Sequence, residues 1–584
     1  MLWRECARTL AVVTLLAPSA ACHADRARNP ARPTTVITYV SPMWYEETAR
    51  YFQVSMNGRR AIYGSGARSR LYDLTAGRED SDAWHRSMER VDGGAFDPTG
   101  ALVRLNDLGL PATALPRWSP DGNRLAYFTP GESTIVLRPP SPPRIISVDG
   151  AVTGLAWTPD GDALYAVILK STGLSSLVKV SMDGSLENVR VALDASPMFN
   201  SLAFTHDGRT VFVALAGETP PDPKTRHDPE AAHRDLDLYS LDLKTGTLAR
   251  VVRTDGDDCC PQVADGFLYW THNDPQPEIV VFPMGGGDAH VVADHGFLPR
   301  WSPDGRQIAF TRGYYRLSDY GLDMDGWAVA VDASGAVTSR AHPFITGFGE
   351  DMGPAWSPDG RWVAYHSHRS PDPVPLYESP GRTDDTWLRS AAGGAEIRLT
   401  DSGYEVGPPD WAPDSRRLIF DSWEKNGPPR FAKPWVVTID PATGRSLGAV
   451  RVPLPEGVAG ITNEAWSPAG DEIAFVQRID DQARALWVSR PDGTHAHKLT
   501  SFMSYTIGGV AWTPDGQNIL YGALADDRMQ VFAIARSGGA GRQLTRSDVN
   551  MMHPTVSPDG RLVAASRIAW RKELRRVSLD CCWR

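Results

Sequence analysis

The sequence predicts an all-β chain folded as a β-propeller of repeated four-stranded blades, and three observations predict it. A short turn motif recurs along nearly the whole chain, an alternating apolar run follows each copy, and turn-forming residues are abundant. The series reads RWSPDGNRLAYFT from Arg117, AWTPDGDALYAV from Ala156, AFTHDGRTVFVA from Ala203, RWSPDGRQIAFT from Arg300 and AWSPDGRWVAYHS from Ala355. It continues with DWAPDSRRLIFDS from Asp410, AWSPAGDEIAFVQ from Ala465, AWTPDGQNILYGA from Ala511 and TVSPDGRLVAAS from Thr555. Weaker copies start at Val54 and Gln262. The spacing is roughly 40 to 55 residues, the period of propeller blades.

Each element of the unit has a physical reason. An aromatic closes a short first strand, Ser-Pro-Asp-Gly turns the chain, and a run such as Leu125-Ala126-Tyr127-Phe128 forms the second strand. Proline presets the turn, aspartate accepts hydrogen bonds from nearby amides, and glycine takes the positive φ that other residues resist. A third strand such as Thr386-Trp387-Leu388-Arg389 follows, then a turn at Gly393-Gly394 and a fourth strand from Glu396. Four antiparallel strands make one blade.

The W-[ST]-P-D-G repeat followed by an apolar strand resembles the TolB-like (WD40-like, PD40) propeller repeat, which also occurs in propeller domains of some serine peptidases. The resemblance covers nearly the whole chain after the first segment and implies about eleven to twelve four-stranded blades, more than one ring holds. Two six-bladed propellers in tandem are therefore expected, over 25–295 and 296–584, with the second ring opening at Trp301. A fragment from about 296 onward is then expected to fold alone. In the first half, a further unit is expected within Leu74 to Leu110, or completion of a blade by Thr35 to Val40.

Hydrophobic residues make up 42% and charged residues 22% of the chain, the balance of a soluble globular protein. The net charge of -10 argues against nucleic-acid partners, whose affinity rests on cationic contacts to phosphate. Residues 1–24 have the form of an export signal: Arg4 and Arg8, an apolar run from Leu10 to Ala17, then Ser19-Ala20-Ala21-Cys22. The last four resemble a lipoprotein cleavage site ending at 21, which would lipidate Cys22, although Ser19 stands where leucine is usual. Simple secretion with cleavage after Ala24 is the alternative. Either way the chain is expected in the periplasm or at the outer membrane of a bacterial envelope. Cys259, Cys260, Cys581 and Cys582 would there meet oxidising conditions, in which disulfides form, with connectivity left open.

The blade grammar places long connections on the face opposite the Pro-Asp-Gly turns, where binding residues usually reside. On that face of the second half lie Glu350, Asp351, His366, His368, Arg369, Asp384, Asp385 and Glu405, with Asn463-Glu464 in a corresponding place. His366 and His368 share strand parity, a spacing compatible with a metal or an anion. A solvated rim of hydrogen-bonded side chains fits the same residues. His227, His233 and Asp235 carry ligand types for a divalent cation, but their segment also reads as a solvated loop. No cofactor is otherwise implied. Gly444-Arg445-Ser446-Leu447-Gly448 matches a nucleophile motif in letters only, because it lacks the strand-turn-helix setting. These readings favour a noncatalytic cell-envelope scaffold that binds a protein segment or an envelope polymer, touching the membrane only through an N-terminal lipid. The rival is a propeller lyase or hydrolase of carbohydrate or peptide, using histidine and carboxylates as acid and base.

Overall fold

The computed structural model describes residues 34–41, 52–63, 70–79, 94–110, 114–129, 132–138, 142–170, 174–195, 202–217, 236–254, 256–312, 324–346, 350–369, 383–401, 407–422, 432–479, 483–504, 508–526 and 528–579. Among them the chain is all β, apart from a short 3-10 turn at Asn106–Leu108. The strands form antiparallel sheets of the propeller type, most of them built in chain order from a first strand outward. Glu350–Trp356, Trp362–Arg369, Thr383–Ser390 and Glu396–Arg398 make one such sheet. A two-stranded pair, Gly94–Phe96 with Leu102–Arg104, lies inside the stretch where a further unit was expected.

The turn chemistry repeats with the motif. In the first strong copy the Gly122 amide donates to the Ser119 carbonyl at 2.9 Å, and the Arg124 amide donates to Ser119 Oγ at 2.9 Å. The hydroxyl in turn donates to the aspartate: Ser302 to Asp304 at 2.7 Å, Ser357 to Asp359 at 2.6 Å and Ser557 to Asp559 at 2.6 Å. Gly122, Gly305 and Gly560 all have φ near the left-handed region, at 73°, 69° and 74°, which a side chain adopts only at a cost. Where the motif has Ser415 instead, φ is 56°, and its hydroxyl accepts a hydrogen bond from the Asp359 amide of the neighbouring unit at 3.0 Å.

Three of the motif tryptophans hydrogen-bond to the neighbouring unit, whereas Nε1 of Trp118, Trp301 and Trp466 has no such partner among the described residues. Trp157 Nε1 donates to the Arg117 carbonyl at 2.8 Å, Trp411 Nε1 to Ala355 at 3.0 Å and Trp512 Nε1 to Ala465 at 3.0 Å. Each acceptor is the residue just before the motif aromatic of the preceding unit. The indole thus staples one sheet to the last while burying its rings between the apolar faces of both, as Trp411 does beside Leu388, Leu418 and Phe420.

In the second half the first strands touch in a closed circuit. Gly296–Trp301 contacts Glu350–Trp356, and contacts continue through Asp410–Trp411, Ile461–Trp466 and Val510–Trp512 to Asn550–Val556, which returns to Gly296–Trp301. The turn side closes likewise, with Gly305 packed toward Pro558.

Two strands are unlike the others. Phe267–Pro283 and Leu562–Ser578 are each 17 residues long and pair antiparallel over their whole length, from Phe267 opposite Ser578 to Pro283 opposite Leu562. At one end they are flanked by Asp257–Ala264 and Thr34–Ser41, and at the other by Asn550–Val556 and His290–Asp294. The pair therefore serves two sheets end to end. Glu573 fastens the first strand to this ribbon, accepting from Thr35 at 3.0 Å and pairing with Arg575 at 2.8 Å and Arg571 at 2.8 Å. Burial raises the Glu573 carboxyl, but those hydrogen bonds and charges outweigh it and hold the group below its usual range.

Two outcomes follow. Trp411→Ala should cost about 3 to 5 kcal/mol in denaturant unfolding by emptying a buried aromatic site. Trp411→Phe should cost less, since it keeps much of the packing while losing the Nε1 hydrogen bond, worth about 1 kcal/mol. A fragment 296–584 lacks the 267–283 strand, so the 562–578 strand loses the partner it has along its whole length. Such a fragment should aggregate or melt without cooperativity, whereas one starting at 267 should melt cooperatively. Equal cooperative melting of the two would show that the long partner strand is dispensable.

Candidate functional site

Three adjacent strands bring most of the expected residues to one end of one sheet. Glu350 lies opposite His368, Asp351 opposite Ser367 and Met352 opposite His366. On the other side His366 lies opposite Thr386, Ser367 opposite Asp385, His368 opposite Asp384 and Arg369 opposite Thr383. The side chains of Glu350, His368, Arg369 and Asp384 lie outside the described residues, as do Glu405, His227, His233, Asp235, Cys22, Cys581 and Cys582 entirely.

The described members are interior groups rather than a solvated rim. Asp351, His366 and Asp385 are 1%, 2% and 0% exposed. Asp385 is a clamp: it accepts from Arg398 Nε at 2.9 Å and Nη2 at 2.6 Å, and from Thr400 Oγ1 at 2.8 Å. A carboxylate so saturated ties the third strand to the fourth and to the segment beyond it. The Asp351 amide donates to the Met324 carbonyl of the preceding sheet.

Two sheets further on stands a group that the sequence only grazed. Glu464, on the strand Ile461–Trp466, is 4% exposed, and neither of its carboxyl oxygens has a hydrogen-bond partner among the described residues. Burial, then the nearby Asp421 and Asp410 charges, push its pKa well above the usual range. Asp410 is raised by burial against the pull of Arg300 and the Trp466 amide, which donates to Asp410 Oδ2 at 2.8 Å. Asp421 sits where a Cβ on Gly407 would collide with its carboxylate, and the Gly407 amide donates to the Asp421 carbonyl at 2.8 Å. The acids before Trp411 and Ala465 are visible in sequence. Their convergence is not, because it arises between two sheets. Among the described residues no three His, Cys, Asp or Glu side chains are arranged to hold a metal ion.

The first half carries its own buried network. Trp270 Nε1 donates to Asp258 Oδ1 at 2.7 Å, His272 Nδ1 lies 3.0 Å from the same oxygen, and Thr254 Oγ1 donates to Oδ2 at 2.5 Å. Asp257 accepts from the Leu236 amide at 3.0 Å. Nearby Asp237 is pushed up to about 6, chiefly by burial, against its hydrogen bond from Arg250. These groups tie Asp257–Ala264 to Phe267–Pro283 and to the start of Asp237–Asp242.

Repeated turns, chain-order sheets and tryptophan staples define a β-propeller protein. Its repeats are TolB-like. No family model matches the chain. It is 28% identical over 204 residues to an uncharacterised protein of Agrobacterium fabrum, a match spanning 34% of this chain and 61% of that one. It is 27% identical over 207 residues to the Tol-Pal system protein TolB of Anaeromyxobacter dehalogenans, spanning 32% of this chain and 42% of the relative. Both matches therefore cover less than two thirds of the relatives. A solved structure of a putative TolB from Agrobacterium tumefaciens aligns with 50% of this chain and 99% of its own, at 18% identity and a TM-score of 0.38.

The Glu464 carboxyl gives a signed pH dependence. Its folded pKa lies above the unfolded value, so its stabilising share is full below about pH 4.3 and is lost as pH rises toward the folded pKa. Glu464→Gln should therefore flatten the fall in melting temperature as pH rises above about 4.3. An unchanged profile in the variant would mean that the pKa of this carboxyl is not raised in the folded protein.

Proposed function

We propose that the chain is a noncatalytic binding scaffold of the bacterial cell envelope, which receives a segment of an envelope protein or an envelope polymer at the mouth of the ring formed by its second half. The observation that carries this reading is the buried Glu464, whose carboxyl oxygens have no hydrogen-bond partner among the described residues, with Asp410 and Asp421 near it. A buried acid with unfilled hydrogen-bonding capacity retains donors and acceptors for a guest, and a propeller scaffold presents them at a fixed position. The name of the Anaeromyxobacter relative, a Tol-Pal system protein, supports an envelope setting. Export through residues 1–24, with Cys22 as a lipid attachment point, belongs to the same proposal.

The architecture that goes with it has twelve blades in two six-bladed rings. The first ring uses the strands from 34 to about 274 together with 572–578, and the second uses 277–569. The expected boundary near 295 then becomes a shared blade pair: the second ring is inserted between two strands of a blade of the first.

Site-specific photo-crosslinkers test the reading in cells. A crosslinker at Arg300 or Asp410 should capture a discrete envelope partner, while one at Arg306 or Arg561, on the turn face, should not. Capture only from the turn face would place binding on the other side. Turnover of a glycan or peptide abolished by changing His366 or Asp351, in a variant that stays folded, would replace the scaffold reading with the enzymatic one.

A further inference from the structure

Successive side chains of a regular strand point to opposite faces of the sheet, so two adjacent cysteines in a strand should hold their sulfurs apart. In Asp257–Ala264 they do not: Cys259 Sγ and Cys260 Sγ are 2.6 Å apart, with both residues buried. The backbone explains this. The pairing with Phe267–Pro283 shifts register between Cys259 and Gln262, and Cys260 has φ of 59°. The same bulge recurs in other first strands, where the left-handed residue is Leu298 at 53°, Gly353 at 62°, Asn463 at 54° and His553 at 53°. The conformation is thus a property of the blade, not of the cysteines. Where the preceding residues are Phe297, Met352, Thr462 and Met552, it sets nothing reactive side by side. Here it aims two thiols at one another.

We propose that Cys259 and Cys260 form a vicinal disulfide. Two thiols become one S–S bond, and the two electrons and two protons pass to a disulfide donor, which leaves as a dithiol. Around the pair stand Phe212, Leu236, Leu238, Val252, Leu268, Trp270 and Leu579, so neither oxidant nor reductant reaches it in the closed sheet. The bond therefore forms while the strand is still open and persists once the neighbouring sheet has packed. Buried as thiols, the pair would be inert, since burial and the neighbouring thiol hold the Cys259 thiol well above its ordinary pKa. Once formed, the bond fixes the left-handed residue that bends this strand beside the 267–283 ribbon.

The test is oxidative refolding of the full chain with oxidised glutathione, then denaturation in an alkylating agent without reductant, and peptide mass analysis. The peptide carrying Cys259 and Cys260 should be unalkylated and lighter by two hydrogens than the dithiol peptide. It should stay so in a Cys581→Ser, Cys582→Ser double variant, and Cys260→Ser should leave Cys259 fully alkylated. The folded oxidised protein should resist dithiothreitol that reduces it within minutes once denaturant is added. Alkylation of both thiols in the refolded wild type, or a peptide cross-linked to Cys581 or Cys582, overturns the proposal.

Discussion

Everything in this molecule depends on the register between Phe267–Pro283 and Leu562–Ser578. The other sheets are made of strands close in sequence, joined by turns and short connections, and they form locally. This pair joins segments almost three hundred residues apart, and loop closure over that length is entropically unfavourable until the intervening sheets have ordered the chain. Because the partners are 17 residues long, one closure event completes two sheets. Arg567 binds Glu278 through Nη2 at 2.7 Å near one end, and Glu573 gathers Arg571, Arg575 and Thr35 near the other. The Arg567–Glu278 pair, which alone of these crosses the ribbon, favours this register over one slipped by a residue, which would also turn every apolar side chain to the wrong face.

The two faces of the sheets are built by different chemistry. On the turn side, hydroxyl, carboxylate and backbone amides satisfy one another within a few residues, and the aspartates, such as Asp304 and Asp515, are held below their usual range chiefly by those hydroxyls. On the opposite side, polar groups reach between strands and between sheets, as in Asp385 with Arg398 or Asp258 with Trp270 and His272. Glu464 has carboxyl oxygens that such bonds leave unfilled among the described residues. A scaffold that repeats the same closed turn acquires individuality only where the local rule does not saturate the side chains.

The local unit was legible in the sequence because its physics is local. Ser302-Pro303-Asp304-Gly305 states its own turn, and the alternation after it states its own strand. The long ribbon was not legible as one: the weak copy at Gln262 and the last strong copy at Thr555 read as separate units, and pairing between them leaves no mark on either sequence. The nearness of Glu350, Asp351, His366, His368, Asp384 and Asp385 along three adjacent strands followed from hairpin order. The burial of Asp351, His366 and Asp385 did not, because it depends on how neighbouring sheets cover that end. The cysteine pair shows the same limit, since period-two alternation separates Cys259 from Cys260 and only the bulge brings them together.

Amide hydrogen exchange on the full chain tests the ribbon most directly. If one closure holds the molecule, the paired amides of 267–283 and 562–578 exchange together at the slowest rate in the protein, and a single opening event exposes both. Fast exchange in either strand, or protection of one end with loss of the other, would contradict the claim that these two strands close the fold as a unit.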